Sequence, residues 1–157
     1  MAPHPTLVLG WREWVHLPDL GVDLIKAKLD TGARTSAIHA NHITPFEKDE
    51  EEWVRFSLNP YQRDTAHEVV CAAAVLDQRR IRSSNGHVSR RYTIKTPLVI
   101  AGFQWDIELT LVSRDEMGFR LLLGRQALRG HALLDPGSSF AARKPPHARA
   151  PVPIGGP

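Results

Sequence analysis

Leu29-Asp30-Thr31-Gly32-Ala33 is the stretch from which we interpret the fold, and it closes an alternating run that begins at residue 23. Apolar residues and lysines interleave in that run, which is typical of a half-buried strand. A strand ending here would carry the Asp30 carboxylate into a tight turn, where backbone amides and a hydroxyl can hold it. The tripeptide also makes an ordinary turn, since Asp and Thr bond nearby amides and Gly tolerates positive φ. A second signal is therefore needed to give Asp30 a chemical role.

That second signal lies far downstream, in Arg120-Leu121-Leu122-Leu123-Gly124-Arg125-Gln126-Ala127-Leu128. The three consecutive leucines predict a strand that is covered on both faces. The residues from Gln126 to Gly130 predict one or two helical turns. Further strands, some with their closing turns, are predicted at residues 6–17, 53–58, 67–76, 98–103, 105–112 and 133–140.

Length and composition indicate one globular domain. The chain has 157 residues, of which 42% are apolar, enough for one core and too few for two ordinary domains. Residues 1–5 are expected to be an N-terminal tail and residues 6–140 the folded domain. Residues 141–157 are rich in proline and lack apolar periodicity, so they are expected to form a disordered tail.

Charge and cysteine content narrow the classes of partner. The net charge is +3, and the three cations of residues 141–157 account for it, because 17 basic and 17 acidic residues remain in 1–140. Bulk charge therefore gives no support for a nucleic-acid or membrane partner. Cys71 is the single cysteine and is predicted to be buried and structural. With no signal-peptide pattern or membrane-spanning run, a cytoplasmic location is expected.

Two charged stretches are candidates for surface features. Glu47-Lys48-Asp49-Glu50-Glu51-Glu52 is predicted to be a solvated loop. Asn85-Gly86 lies between two strand-like arms and predicts a hairpin turn. Residues 79–95 around it hold six basic residues and no acid. That hairpin is either an ordinary solvated one or a cover over an anionic substrate.

The two opening stretches together resemble the retropepsin-like aspartic proteases. A closer resemblance is to a bacterial retropepsin-like family that is labelled ATP-dependent zinc protease and is associated with ribosomal-protein glutamate ligases. It covers roughly residues 8–140 and rests on these motifs: Gly10-Trp11-Arg12-Glu13-Trp14-Val15, residues 26–37, Arg82-Ser83-Ser84-Asn85-Gly86 and Asp135-Pro136. This chain is longer than a retroviral protease, and the additional residues lie between Asp30 and the hairpin.

The resemblance implies an all-β, retropepsin-like closed barrel with a flap hairpin and one short helix. It implies that Asp30, within Asp30-Thr31-Gly32, is catalytic, and that Gly124 and Arg125 support the loop from beneath. The chemistry needs two carboxylates, one ionised and one protonated. Since the chain has one Asp-Thr-Gly, a homodimer with one Asp30 from each subunit is expected.

The predicted substrate is acidic. Arg34 stands where retroviral proteases have an acid, and it would repel Arg125 unless Glu13, another acid or an anionic substrate lies between them. The substrate-binding residues are predicted to be Ala33, Arg34, Arg82, Ser84, Asn85, Gly86, Arg90 and Arg91. Guanidinium groups bind carboxylates bidentately, which favours Glu-rich peptides. The family association implies oligoglutamate tails, such as those of a glutamylated ribosomal protein.

No cofactor is predicted. The chain lacks His-Glu-x-x-His and a phosphate-binding Gly-rich loop, and only His39 and His42 have near-ligand spacing. Two alternatives stay open at this stage. One is a non-enzymatic module that binds acidic tails, and the other is a zinc-dependent peptidase.

Overall fold

The computed structural model describes residues 7–60, 68–82, 86, 88–113 and 119–142. Within them the chain forms twelve strands and one short α-helix, which confirms the predicted all-β class. The strands are β1 Leu7–Gly10, β2 Arg12–Leu17, β3 Val22–Asp30, β4 Ser36–His39, β5 Asn41–Lys48, β6 Glu51–Leu58, β7 Val69–Ala74, β8 Asp77–Arg82, β9 Val88–Ile100, β10 Phe103–Val112, β11 Leu121–Gly124 and β12 Ala132–Asp135. The helix α1 is Arg125–Leu128. No helix in this part of the chain is long and apolar enough to cross a membrane.

Six strands close into a barrel. Their order is β10-β4-β11-β3-β2-β9, and pairing of β9 with β10 completes the ring, with β8 extending outward from β9. Alternation decides which side chains enter the core. In β3, for example, Ile25, Ala27 and Leu29 are buried while Lys28 is exposed, as the period of two requires.

The predicted hairpins are present. β8 and β9 pair as far as Arg82 and Val88, so the chain reverses between these residues, and Gly86 in the turn has a φ of 86°. β9 and β10 reverse at Ala101 and Gly102, both with positive φ. Two successive positive φ values match the right-handed twist of paired strands. One predicted strand is divided, because a bend at Trp11 separates β1 from β2.

The prediction of a loop at residues 47–52 was wrong. β5 and β6 continue through most of it, with Glu47 opposite Glu52 and Lys48 opposite Glu51, and only a two-residue turn remains between them. The side chains in this stretch are exposed. A hairpin whose tip is solvated on both faces places no apolar requirement on its residues, so composition did not reveal the pairing. β5, β6 and β7 form a separate three-stranded sheet.

Cys71 on β7 is buried, as predicted. Its thiol donates a hydrogen bond to the carbonyl of Leu20, with Sγ and O 3.3 Å apart. Burial raises the pKa of the thiol to about 11. Because the thiolate is the reactive form, this cysteine has a structural role.

Glu13 fastens the end of the described chain to the barrel. Its side chain is fully buried, and its carboxylate accepts bonds from the backbone N–H groups of Gly10 at 2.6 Å, Ala141 at 2.9 Å and Ala142 at 3.0 Å. The folded body therefore continues two residues past the expected boundary at 140. The remaining tail prediction lies outside the described residues.

We predict that Glu13→Gln lowers the free energy of unfolding by about 2–4 kcal/mol, because hydrogen bonds to a charged acceptor each contribute about 1.5–3 kcal/mol. The glutamine side chain also replaces one acceptor oxygen with an NH₂ group, which is a donor and cannot bond the backbone N–H groups that face it. Urea unfolding measures the change. Glu51→Gln, at an exposed position, is the matched control and should change stability by less than about 0.5 kcal/mol. Equal effects of the two substitutions would contradict this role of Glu13.

Candidate active site

Asp30 ends β3 and is held by the turn that follows it. The N–H of Gly32 donates to Oδ1 of Asp30 at 2.9 Å, and the N–H of Ala33 donates to the Asp30 carbonyl at 3.1 Å. Among the described residues, no donor contacts the other carboxylate oxygen. The residue is half-buried, so the turn fixes the carboxylate while one of its oxygens has no described hydrogen-bond donor.

β11 passes directly beneath this turn. It pairs in parallel with β3, with Gly124 opposite Asp30, and antiparallel with β4. The N–H of Gly124 donates to the buried Oγ of Ser36 at 3.0 Å. A Cβ on Gly124 would lie 2.5 Å from the carbonyl oxygen of Thr35 and 2.8 Å from that of Ala33. Only glycine fits this crossing.

The start of α1 continues the support. The N–H of Arg125 donates to Ala33 O at 2.8 Å, and the N–H of Gln126 donates to Arg34 O at 3.1 Å. The Arg125 guanidinium makes longer contacts, 3.4 Å to Gly32 O and 3.5 Å to Thr31 O. Distances of that length are weak hydrogen bonds, so the backbone of Arg125 holds the loop more firmly than its side chain does.

Glu13 does not lie between Arg34 and Arg125, and that suggestion was wrong. Its carboxylate is occupied by the three backbone donors described above. Spacing along the chain could not reveal this, because two of those donors lie at the far end of the domain.

A cavity of about 500 Å³ opens on the Arg34 side of the turn. Charged residues dominate its walls, and those wall residues are Arg34, Asp77, Arg79, Arg91, Lys95, Asp106, Glu108 and Arg129. Two of the cations have acidic neighbours: Arg79 lies 3.3 Å from Asp77, and Lys95 lies 4.0 Å from Asp106.

The three other cations of the cavity have no described acidic neighbour. Among the described residues, Arg34, Arg91 and Arg129 have no carboxylate within ion-pair distance. The cavity therefore joins one predicted residue of the loop, Arg34, with one of the hairpin, Arg91. It also contains Arg129, which the sequence did not single out. Arg129 follows α1, and no local pattern indicated that it faces the hairpin.

The other predicted substrate-binding residues are placed differently. Arg90 lies on the opposite face of the hairpin from Arg91, because neighbouring residues of a strand alternate, and it bonds Gln78 Oε1 at 3.2 Å. Ser84 and Asn85 lie outside the described residues, and for Arg82 the structure describes the backbone only. Gly86 is exposed at the hairpin turn.

His39 and His42, the two histidines with near-ligand spacing, lie in different surroundings. His39 is buried with Nδ1 2.9 Å from Nη1 of Arg120, whereas His42 is exposed. Within the described ranges, no group of three His, Cys, Asp or Glu side chains is arranged to hold a metal.

Comparison with known proteins supplies the wider context. Residues 8–145 match the model of the RimB-like family, described as the retropepsin-like aspartic endopeptidase RimB. The chain is 47% identical over 133 residues, 85% of its length, to a probable alpha-L-glutamate ligase of Shewanella halifaxensis. It is 46% identical over 129 residues, 82% of its length, to one of Desulfotalea psychrophila. It spans only 29% and 28% of the length of these relatives.

The fold is also present in a crystal structure. A Legionella pneumophila protein of unknown function superposes with a TM-score of 0.73 over 88% of this chain and all of that chain, at 23% identity. The likeness establishes the architecture and is consistent with the retropepsin-like barrel.

We predict that Gly124→Ala lowers the free energy of unfolding by about 1–3 kcal/mol, because the new Cβ would press on rigid backbone carbonyls. Thermal unfolding measures the change. Gly137→Ala is the matched control: its Cβ would meet Asp135 Oδ1 at an ordinary 3.5 Å. If both variants unfold at the same temperature as the wild type, the close crossing beneath the Asp30 turn does not limit the stability of the fold.

Proposed function

This chain belongs to the RimB-like family of retropepsin-like aspartic endopeptidases, and on that premise we propose that it hydrolyses peptide bonds with one Asp30 from each subunit of a homodimer. The observation that carries the proposal is the Asp30 carboxylate on its hydrogen-bonded turn, with Gly124 and Arg125 clamping the loop from beneath. Such support is what a reacting group needs to keep its position.

The reaction needs two carboxylates that share one proton. The ionised one takes a proton from water, whose oxygen attacks the carbonyl carbon, while the protonated one donates a hydrogen bond to the carbonyl oxygen. The C–N bond then breaks as a proton passes to the amine nitrogen. Both carboxylates return to their starting states.

Asp135 is unsuited to be the second carboxylate. Bonds from the Ser138 hydroxyl and the Gly137 N–H hold it in a turn of its own and lower its pKa. Asp135 also belongs to the separate two-stranded β1–β12 sheet, whereas Asp30 ends a strand of the barrel. A second copy of the chain supplies the missing group, and a twofold axis through the two Asp30 turns provides the geometry.

An exposed apolar pair supports dimerisation. β1 and β12 form a two-stranded parallel sheet in which Val8 lies opposite Leu133. Val8 is 50% and Leu133 62% exposed. Burying such a pair against a second subunit would remove apolar surface from water.

We propose acidic, Glu-rich chains as substrates. The cavity lined by Arg34 and Thr35, which follow the Asp30 turn in the chain, has three cations without a described acidic partner, and cationic walls favour carboxylate-bearing chains. The relatives named probable alpha-L-glutamate ligases support the same class, since a glutamate ligase produces glutamate-bearing products. A glutamylated ribosomal protein is the candidate that the family association suggested.

A non-enzymatic module for acidic tails is the competing function. The hydrogen bond from the Gly32 N–H to Asp30 is compatible with this competing function, because an Asp turn with a purely structural role would make the same bond. Hydrolysis assays on purified protein separate the two.

We predict that Asp30→Asn lowers the rate of hydrolysis of a Glu-rich peptide by roughly 10²- to 10⁴-fold, the usual contribution of an acid–base group. The fold and the dimer should persist in sedimentation, because Asn keeps the acceptor for the Gly32 N–H. Asp135→Asn is the control and should stay active, as should wild type treated with a metal chelator. An active Asp30→Asn variant would exclude the mechanism, and loss of activity that zinc restores would favour a metallopeptidase.

We predict that Arg34→Ala lowers kcat/KM on a Glu-rich peptide by about three- to tenfold, since exposed charge pairs contribute modestly. Arg34 is exposed, so the effect should fade with added salt, and a neutral peptide should be affected less. The control is Arg55→Ala, a cation whose guanidinium lies 5.4 Å from the Phe46 ring on the separate β5–β6 hairpin. Equal losses on acidic and neutral peptides would show that Arg34 does not select substrates.

A further inference from the structure

Four aromatic rings and two cations form a closed, half-buried cluster on the outer face of the β2–β3 hairpin. We call it the aromatic–cation ring. Its members are Trp11, Arg12, Trp14, Lys26, Phe119 and Phe140.

Each cation bridges two aromatic rings. The Arg12 guanidinium lies 4.7 Å from the ring centre of Trp11 and 4.9 Å from that of Phe140. The Lys26 ammonium lies 5.7 Å from Trp14 and 5.8 Å from Phe119. Contacts of 5.9 Å between Trp11 and Phe119 and between Trp14 and Phe140 close the circle.

The aromatic–cation ring lies on the same strand face as the candidate catalytic residue. On β3, Lys26, Lys28 and Asp30 share one face, since they are two residues apart. Across the hairpin, Arg12 lies opposite Lys28 and Trp14 lies opposite Lys26. The cationic face therefore leads along β3 to Asp30, upstream of the turn, whereas the Arg34 cavity lies downstream of it.

The cations of this face have no described acidic partner. Among the residues that the structure describes, no carboxylate lies within ion-pair distance of Arg12, Lys26 or Lys28. Lys28 takes no part in the ring and is exposed.

We propose that this face binds the acidic substrate chain on one side of the scissile bond, as a subsite separate from the Arg34 cavity. The proposal rests on the proposed function. Ammonium and guanidinium groups pair with glutamate carboxylates, while the aromatic faces pack against the methylene groups of the same side chains. Because the aromatic contacts already hold Arg12 and Lys26 in place, binding orders them at low entropic cost.

The four tryptophans of the chain make the test direct. In the Asp30→Asn protein, the indole N–H signals are followed by NMR as an oligoglutamate peptide is added. Trp11 and Trp14 report on the proposed subsite. Trp105, whose Nε1 donates to Ala127 O at 2.8 Å beside the Arg34 cavity, reports on that cavity. Trp53 on the distant β5–β6 hairpin reports on neither.

The expected result is a saturable shift of Trp11 and Trp14 with Trp53 unchanged. Lys26→Gln combined with Lys28→Gln should weaken oligoglutamate binding by about three- to tenfold, as modest exposed pairs do, and should raise KM more than it lowers kcat. Lys48→Gln is the matched control, since its ammonium lies 4.3 Å from the Trp53 ring, and it should leave binding unchanged.

Failure of this proposal is distinct from failure of the proposed function. If wild type cleaves Glu-rich peptides but only Trp105 shifts, or no indole signal shifts, the subsite is refuted and the peptidase function stands. If Trp11 and Trp14 shift and the double variant binds weakly while wild type hydrolyses no peptide, this face binds acidic chains without cleaving them, and the peptidase function is refuted.

Discussion

The close crossing of Gly124 beneath the Asp30 turn is the constraint on which the candidate site depends. Two backbones approach there to distances that exclude any side chain, and the hydrogen bonds from Arg125 and Gln126 hold the loop over the crossing. Since β11 pairs with both β3 and β4, the strand that enters the turn and the strand that leaves it are fixed to one support. The position of Asp30 is thus determined by the barrel, and its own side chain accepts a single described bond, from the Gly32 N–H.

Charge is arranged around that turn on two separate surfaces. The cavity with Arg34 and Arg91 lies on one side, and the face with Lys26 and Lys28 lies on the other. The chain as a whole is close to neutral apart from its last residues, so these concentrations of positive charge arise from the fold. Local fields of this kind can select an acidic chain although the net charge cannot.

Local patterns in the sequence determined the parts of the structure that depend on neighbours along the chain. Alternation predicted β3, with Asp30 at its end, and Asn85-Gly86 predicted a hairpin, which the β8–β9 pairing confirms. The burial of Cys71 also followed from an apolar stretch. The extra length expected between Asp30 and the hairpin forms the sheet of β5, β6 and β7. The sequence pattern did not show that β5 and β6 continue through residues 47–52, because a solvated hairpin tip has no apolar alternation.

Tertiary structure alone decided which distant residues share an environment. The cavity brings Arg34, Arg91 and Arg129 together, although they lie far apart along the chain. Glu13 binds backbone donors more than 120 positions away, and a buried carboxylate satisfied by main-chain groups leaves no side-chain motif in the sequence. Likewise the aromatic–cation ring joins Trp11 with Phe140 through Arg12. Periodicity reports which face of an element a residue occupies, and only the closed barrel determines what meets that face.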